Sequence, residues 1–297
     1  MNQFYLNDCL GSKPFGVDEL SDGLITVVQA FYKISSVPKL LVDKGWVIEK
    51  IPADVLMAGT QLQDVVNNMR DKESRRLFYV YCTKYPIHKH FTQIDDDVLL
   101  AADYRFRGSD ATNVVITANN GGILMTLPVA YYLKQNTIVA QPSNKGYGSI
   151  QVPNLHGSTA ENVAHITRVL LDKNYATSSG LDKLSCLAPE VYFTDYFLGR
   201  FKKLTNNDIQ SIFDRIDEAR NGNMIQPLKC NGTVISHVEK HVSELRIVNP
   251  VDIRIYFHEE GNTLYFARLA FKSEYGVNGQ NEDIKKAEEM IVEMMKQ

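Results

Sequence analysis

The sequence lacks the features that would place a protein in a membrane or outside the cell. It has no uninterrupted apolar run of about 18 residues, so we predict no transmembrane helix. The residues after Met1 do not combine a basic stretch with an apolar one, and we expect no secretory signal. Its 4 cysteines are scattered without CxxC spacing, which is typical of reduced thiols and argues against a zinc knuckle or a disulfide framework. We therefore expect a cytoplasmic protein with no membrane partner.

Recognisable sites for nucleotides and metals are missing as well. The glycine turns at residues 119–122 and 146–148 have neither the spacing of a P-loop nor that of a dinucleotide fingerprint. The run Asp95-Asp96-Asp97 could ligate a divalent ion, but such a run is more typical of a solvated turn. His237 and His241 would share one face of a helix, yet no third ligand is evident. The sequence predicts no cofactor and no metal site.

What the chain does contain is the composition of an ordinary folded protein. Hydrophobic residues make up 44% and charged residues 23% of its 297 residues, and its formal net charge is −3. This length is sufficient for two domains. The polar stretch at residues 176–180, followed by Pro189, favours a boundary near residue 187. We predict an α+β fold with a mixed α/β domain over residues 1–187 and a second domain over residues 188–297.

Hydrophobic periodicity and turn residues give a coarse secondary structure. Helices are predicted over residues 18–34, 61–69, 74–83, 159–172 and 205–220. Thr205 or Asn206 is expected to cap the last of these. Strands are predicted over residues 4–6, 98–100, 113–116, 137–140, 149–152 and 191–193. Residues 123–133 are predicted to form a further helix despite Pro128.

The most informative pattern lies in residues 245–290. From Ile253 to His258, apolar and polar side chains alternate, so one face of a strand is apolar and the other carries an arginine, a tyrosine and a histidine. Glu260-Gly261-Asn262 is turn chemistry, because Gly and Asn tolerate positive φ. We predict a hairpin of two strands at residues 252–258 and 263–271. Its polar face is a candidate site for handling a phosphodiester.

Four short motifs follow one another in the C-terminal third: Glu244-Leu245-Arg246, Ile253-Arg254-Ile255-Tyr256-Phe257, Lys272, and Asp283-Ile284 followed by Ala287. Their order, from about Glu190 to Lys296, resembles the RelE/ParE/HigB superfamily of bacterial toxin domains. The resemblance implies a small antiparallel sheet flanked by helices over residues 188–297. It also implies metal-independent cleavage of messenger RNA in the ribosomal A site. Residues 1–187 loosely resemble uncharacterised bacterial proteins that precede a RelE-like tail in defence or mobile-element loci.

The resemblance assigns roles to residues by position. Arg254 corresponds to the strand arginine and Lys272 to the basic residue ending the next strand, and these cations would stabilise the pentavalent phosphorane. Tyr256 and His258, on the same strand face as Arg254, would move the proton of the 2′-hydroxyl. Residues expected to bind the RNA are Arg246, Arg268 and Tyr275.

Charge separates two hypotheses about function. Residues 188–297 carry more Asp and Glu than Lys and Arg, whereas a ribosome ligand is expected to be basic. Arg254 could equally form an ion pair with Glu244 or Asp252. The first hypothesis is an endoribonuclease, with RNA or the ribosome as partner, that acts in growth arrest or phage defence. The second is a non-catalytic binding or regulatory subunit of a defence system, with an antitoxin or another defence protein as partner.

Overall fold

The computed structural model describes residues 2–37, 39–90, 102–220, 228, 235–248, 251–274 and 279–296, so the acidic run at 95–97 and the predicted strand at 98–100 lie outside the described residues. The chain divides into two compact units, Met1–Leu170 and Leu171–Gln297. Helices and strands are mixed along it, which confirms the α+β fold class. The predicted domain boundary near residue 187 stays a prediction. Among the described residues, no helix is both long and apolar enough to cross a membrane.

The first unit is built on a mixed sheet. Its strands are β1 (Asn2–Leu6), β2 (Val42–Val47), β3 (Leu56–Met57), β4 (Thr60–Gln61), β5 (Tyr104–Phe106), β6 (Ser109–Asp110), β7 (Ile123–Met125), β8 (Thr137–Pro142) and β9 (Ile150–Leu155). Seven of them form one sheet in the order β2-β1-β7-β9-β8-β5-β6, while β3 and β4 pair separately. The first four strands of this order are parallel, and the remaining ones pair antiparallel.

Helices connect these strands and bury their apolar sides. They are α1 (Val17–Ser35), α2 (Leu62–Asn67), α3 (Lys72–Tyr81), α4 (Thr112–Asn119) and α5 (Ala160–Thr177), the last of which continues beyond the end of the unit at Leu170. Four of the five helices predicted before residue 180 are thus confirmed. The ring of Phe31 on α1 makes edge contacts with Phe4, Trp46 and Tyr81, at centroid distances of 4.9, 5.3 and 4.9 Å. This aromatic cluster joins α1 and α3 to β1 and β2, so it anchors the helices on the parallel end of the sheet.

Two predicted elements of the first unit are wrong. Residues 113–116 lie in α4 instead of a strand, and residues 123–133 contain β7 and a short 3₁₀ helix instead of an α-helix. The carboxylate of Asp110 accepts hydrogen bonds from the backbone N–H and the hydroxyl of Thr112, at 3.3 and 3.0 Å, where α4 begins. Val114, Val115 and Ile116 are all buried. Burial on most sides of this short helix overrides the strand preference of β-branched residues.

The second unit is built on a five-stranded sheet in which the predicted hairpin is confirmed. Its strands are β10 (Glu190–Phe193), β11 (Ile235–Glu239), β12 (Val242–Ile247), β13 (Ile253–Glu260) and β14 (Thr263–Phe271), in the order β10-β14-β13-β12-β11. Gly261 turns β13 into β14 with a φ of 59°, and Arg254 lies opposite Ala270. The sheet is not wholly antiparallel, because β10 pairs with β14 in parallel. His237 lies in β11 and His241 in the turn after it, so the two residues do not share a helical face.

Helices cover the sheet of the second unit. They are α6 (Gly180–Ser185), α7 (Asp195–Phe201), α8 (Asn206–Ala219) and α9 (Gly279–Met294), and Thr205 caps α8 as predicted. Ile284, Ala287 and Ile291 of α9 form one buried cluster with Tyr256 and Ala270 of the sheet. α9 therefore lies across the strand face that the sequence predicted to be open and polar.

Candidate functional site

The predicted RNA-handling face is organised around Glu244 on β12. This carboxylate is fully buried, and Arg254 Nη1 lies 2.6 Å from its Oε1. Arg246 forms a second ion pair with Oε2, and Gln280 Nε2 donates to Oε1 at 3.3 Å. Only 13% of the Arg254 side chain is exposed. Arg254, to which the resemblance assigns a catalytic role, is thus held in an ion pair by Glu244. Glu244 belongs to another of the short motifs that carry the same resemblance.

Two further predicted site residues contact α9: Tyr256 packs beneath it, and Arg268 forms an ion pair with it. Tyr256 is fully buried, in the same cluster as the apolar residues of the helix. Arg268 Nη2 lies 2.6 Å from Asp283 Oδ1, and its guanidinium carbon is 3.9 Å from the ring centroid of Tyr196. A phosphodiester can reach these two side chains only if α9 moves away.

The remaining predicted site residues that the structure describes, Lys272 and His258, contact other side chains. Lys272 is 56% exposed and lies 3.3 Å from Asp252, a carboxylate that neutralises it in part. The ring of His258 meets that of His241 edge-on, with centroids 5.3 Å apart. Tyr275 lies outside the described residues. The structure therefore brings Arg246 and Arg254 together at one carboxylate, and the catalytic role of the predicted set stays a prediction.

A second candidate site lies at the carboxyl edge of the parallel strands in the first unit. Asp8 follows β1, Glu49 follows β2, Thr126 follows β7 and His156 follows β9. The chain places β2 on one side of β1 and later places β7 on its other side, so the strand order reverses at β1. Ligands of open α/β sheets bind in the crevice at this kind of switch point. The side chain of Asn7 connects the two strand ends, because its Nδ2 donates to Thr126 Oγ1 at 3.0 Å.

Asp8 lines a cleft of about 380 Å³ at this edge, together with Glu49 and Asp110. Asn113 Nδ2 donates to both carboxylate oxygens of Asp8, at 3.0 and 2.9 Å. Burial raises the pKa of Asp8 to about 7, with the charge and hydrogen bond of Glu49 adding to the rise and the Asn113 hydrogen bond opposing it. Asp8 therefore holds its proton near neutral pH, which is the property needed in a general acid.

Burial favours the neutral forms of two other titratable side chains near the strand ends, Cys9 and His156. Burial, with a contribution from the charge of Asp8, raises the pKa of Cys9 to about 12, so this residue is a thiol and a weak nucleophile at neutral pH. Burial lowers the pKa of His156 to about 4, so its imidazole is neutral. His156 Nδ1 lies 2.8 Å from Ser158 Oγ, and Asn162 Oδ1 accepts the backbone N–H of His156 at 2.9 Å. These contacts order the turn between β9 and α5.

The cleft was not found from the sequence, although one signal for it was present. Asn7 and Asp8 come directly after the first apolar strand, and polar residues at that place are common in α/β ligand sites. The parallel order of the strands, which brings Glu49 and Asn113 beside Asp8, is not visible in the chain. In the part of the chain that the structure describes, no group of three or more His, Cys, Asp and Glu side chains is arranged to hold a metal ion.

Comparison with known proteins gives no relative from which a function could be transferred. Protein-family models, curated proteins and solved structures contain no match to this chain. The function is therefore argued from the geometry of the two candidate sites.

Replacing Asp8 by asparagine should change how stability depends on pH. The pKa of Asp8 is higher in the folded protein than in an unfolded chain, so the folded state binds more protons between about pH 4 and pH 7. The contribution of Asp8 to stability is thus greatest in acid and is lost as the pH rises through about 7. We expect Asp8→Asn to raise the free energy of unfolding at pH 8 by about 1–3 kcal/mol and to flatten this part of the profile.

Urea denaturation between pH 4 and pH 8 measures this difference, and Asp54→Asn, at an exposed aspartate of the same unit, is the matched control. The control should follow the wild-type profile. A stability profile for Asp8→Asn that runs parallel to that of wild type would contradict the raised pKa of Asp8.

Proposed function

We propose that the C-terminal unit is a RelE-like module that binds a protein partner and does not cut RNA. The protein would then be a regulatory or defence subunit in the bacterial cytoplasm, with an antitoxin-like or defence protein as its partner. The order of elements from β10 to α9, a strand, two helices, four strands and a helix, supports the resemblance. The excess of acidic residues in this region supports a protein partner over a ribosomal one.

The observation that carries this proposal is the burial of Glu244 against two arginines. A ribonuclease of this kind needs cations aimed at the scissile phosphate, where negative charge develops. The charge of Arg254 is instead directed at Glu244 Oε1, 2.6 Å away. Breaking a buried ion pair by removing one partner costs about 3–5 kcal/mol, so a phosphate would have to replace Glu244 at a similar cost.

The position of α9 supports the same conclusion. Proton transfer from the phenol of Tyr256 to RNA requires contact, and Tyr256 is fully buried under Ile284, Ala287 and Ile291. Arg268 is held to α9 by Asp283. The alternative, a metal-independent endoribonuclease, therefore requires α9 to leave the sheet before RNA binds.

Full-length protein is expected to leave RNA intact. We would incubate it with free messenger RNA and with programmed ribosomes, in EDTA, and resolve the products on denaturing gels with a test for 2′,3′-cyclic or 3′-phosphate ends. Because the predicted catalytic cations are neutralised, no new ends should form above the level of a protein-free control.

The nuclease hypothesis replaces this proposal if three results occur together. The wild type cleaves RNA but not DNA in EDTA, Arg254→Ala abolishes the cleavage while remaining folded, and Arg76→Ala keeps it. Arg76 is a suitable control because it is an exposed arginine that is also paired with a glutamate, Glu73.

A second candidate function is acid–base chemistry on a small polar ligand in the cleft of the first unit. The specific observation is the Asp8–Glu49 pair at the switch point of the parallel sheet, with Asn113 fixing the orientation of the Asp8 carboxyl group. Asp8, which keeps its proton near neutral pH, lies beside a second carboxyl group, so the site combines an acid with a candidate base. A volume of about 380 Å³ is sufficient for a small metabolite.

A thermal-shift screen of small polar metabolites at pH 7 tests this second function. A ligand at about a hundredfold excess over its Kd should raise the Tm of wild type by about 5 °C. Glu49→Gln should lose the shift, because it removes one carboxylate of the pair, and Asp54→Asn should keep it. Equal shifts for wild type and Glu49→Gln would contradict ligand binding in this cleft.

A further inference from the structure

A row of aromatic rings crosses three adjacent strands of the second unit. The register places Tyr192 of β10 opposite Tyr265 of β14, and Tyr265 opposite His258 of β13. The rings of Tyr192 and Tyr265 are stacked, with centroids 5.4 Å apart and an interplanar angle of 15°. The ring of His258 continues the stack at 6.2 Å from Tyr265. The three rings thus form one continuous stack across the sheet, which ends at Tyr192 on the edge strand β10.

Two glutamates flank this aromatic row. Glu190 on β10 and Glu260 on β13 both lie opposite Thr263 on β14. Each of these residues is two positions along its strand from the aromatic row, so they share its face of the sheet. Glu190 Oε2 accepts a hydrogen bond from Thr263 Oγ1 at 2.9 Å, and the side chain of Glu260 is 67% exposed. Burial raises the pKa of Tyr265, and the charges of Glu260 and Glu190 contribute to the rise. The two glutamates therefore give the aromatic row a negative electrostatic potential.

The row runs from the covered part of the sheet to its edge. Tyr265 is half-buried and packs against the apolar cluster beneath α9, and only 14% of the His258 side chain is exposed, whereas Tyr192 lies on the edge strand with 49% of its surface exposed. Large aromatic side chains at exposed positions are common in binding surfaces, and burial of the core does not require Tyr192 to be aromatic.

We propose that this aromatic–acidic row, Tyr192, Tyr265 and His258 with Glu190 and Glu260, binds an arginine-containing basic segment of a partner protein. A guanidinium group stacks on aromatic rings and donates bidentate hydrogen bonds to carboxylates, so the row offers both contacts that arginine uses. Phosphate groups would be repelled by the two glutamates, which disfavours a nucleic acid at the same surface. This inference rests on the proposed binding function of the C-terminal unit and names the chemistry of its partner.

Fluorescence anisotropy with full-length protein and a fluorescein-labelled hexa-arginine peptide tests the proposal. The double variant Tyr192→Ala with Glu260→Gln should bind this peptide about tenfold more weakly than wild type, because it loses one ring and one carboxylate. The double variant Tyr32→Ala with Glu289→Gln changes an equally exposed tyrosine and glutamate elsewhere, and should bind as wild type does. A hexa-lysine peptide should bind wild type several-fold more weakly than hexa-arginine, since ammonium groups stack less well.

Four results would overturn the proposal. Equal peptide affinity of the two double variants would show that the row is not the binding surface. A uridine oligonucleotide that binds wild type and is lost only in the Tyr192 variant would assign the row to nucleic acid, and self-association lost in that variant would assign it to a second copy. Absence of peptide binding without RNA cleavage overturns this inference alone, whereas RNA cleavage overturns the proposed function.

Discussion

The ion pairs of Glu244 are the interaction on which the functional face of the C-terminal sheet depends. A carboxylate without exposure is tolerated only when cations and hydrogen bonds surround it, and Arg246, Arg254 and Gln280 supply them. Arg254 is therefore part of the folded core of the unit, whereas Arg246 pairs with the same carboxylate from the surface. Because Gln280 belongs to α9, the same carboxylate also connects the sheet to the helix that covers it. One buried charge thus gives a structural role to a motif that resembles a catalytic one, which is the basis of the proposed binding function.

The two candidate sites differ in how the fold treats their charged groups. In the first unit, burial raises the pKa of Asp8 to about 7, so proton affinity is the property that the fold adjusts. In the second unit, opposite charges lie together in ion pairs, which under our proposal serve the fold and not catalysis. The exposed aromatic row with its glutamates is suited to recognition. We therefore assign candidate chemistry to the first unit and binding to the second.

Sequence patterns were sufficient where local physics decides the structure. The period-2 alternation and the Glu260-Gly261-Asn262 turn predicted the hairpin, and a cap at Thr205 or Asn206 predicted the start of α8. They failed where tertiary packing decides. The β-branched run at residues 113–116 indicated a strand, but burial on most sides placed it in α4. The clustering of Glu49 and Asn113 around Asp8 depends on strand order, which no local pattern encodes.

The polar face of the hairpin shows a subtler failure of sequence reasoning. Arg254 and Tyr256 alternate with apolar residues, and this pattern normally indicates a solvent-facing side. Ile284, Ala287 and Ile291 recur at helical spacing, however, so α9 must bury this stripe against a surface. The sequence therefore indicated that α9 covers one face of the sheet, although it did not indicate which of the two faces.

A double-mutant cycle between Glu244 and Arg254 tests the central claim most directly. The free energy of unfolding would be measured for wild type, Glu244→Gln, Arg254→Met and the double variant, with the exposed pair Asp252 and Lys272 as the comparison. A buried structural ion pair predicts a coupling energy of about 2 kcal/mol or more for Glu244 and Arg254, against about 0.2–1 kcal/mol for the exposed pair. A coupling no larger than that of the exposed pair would contradict the account, because Arg254 would then be available to a phosphate.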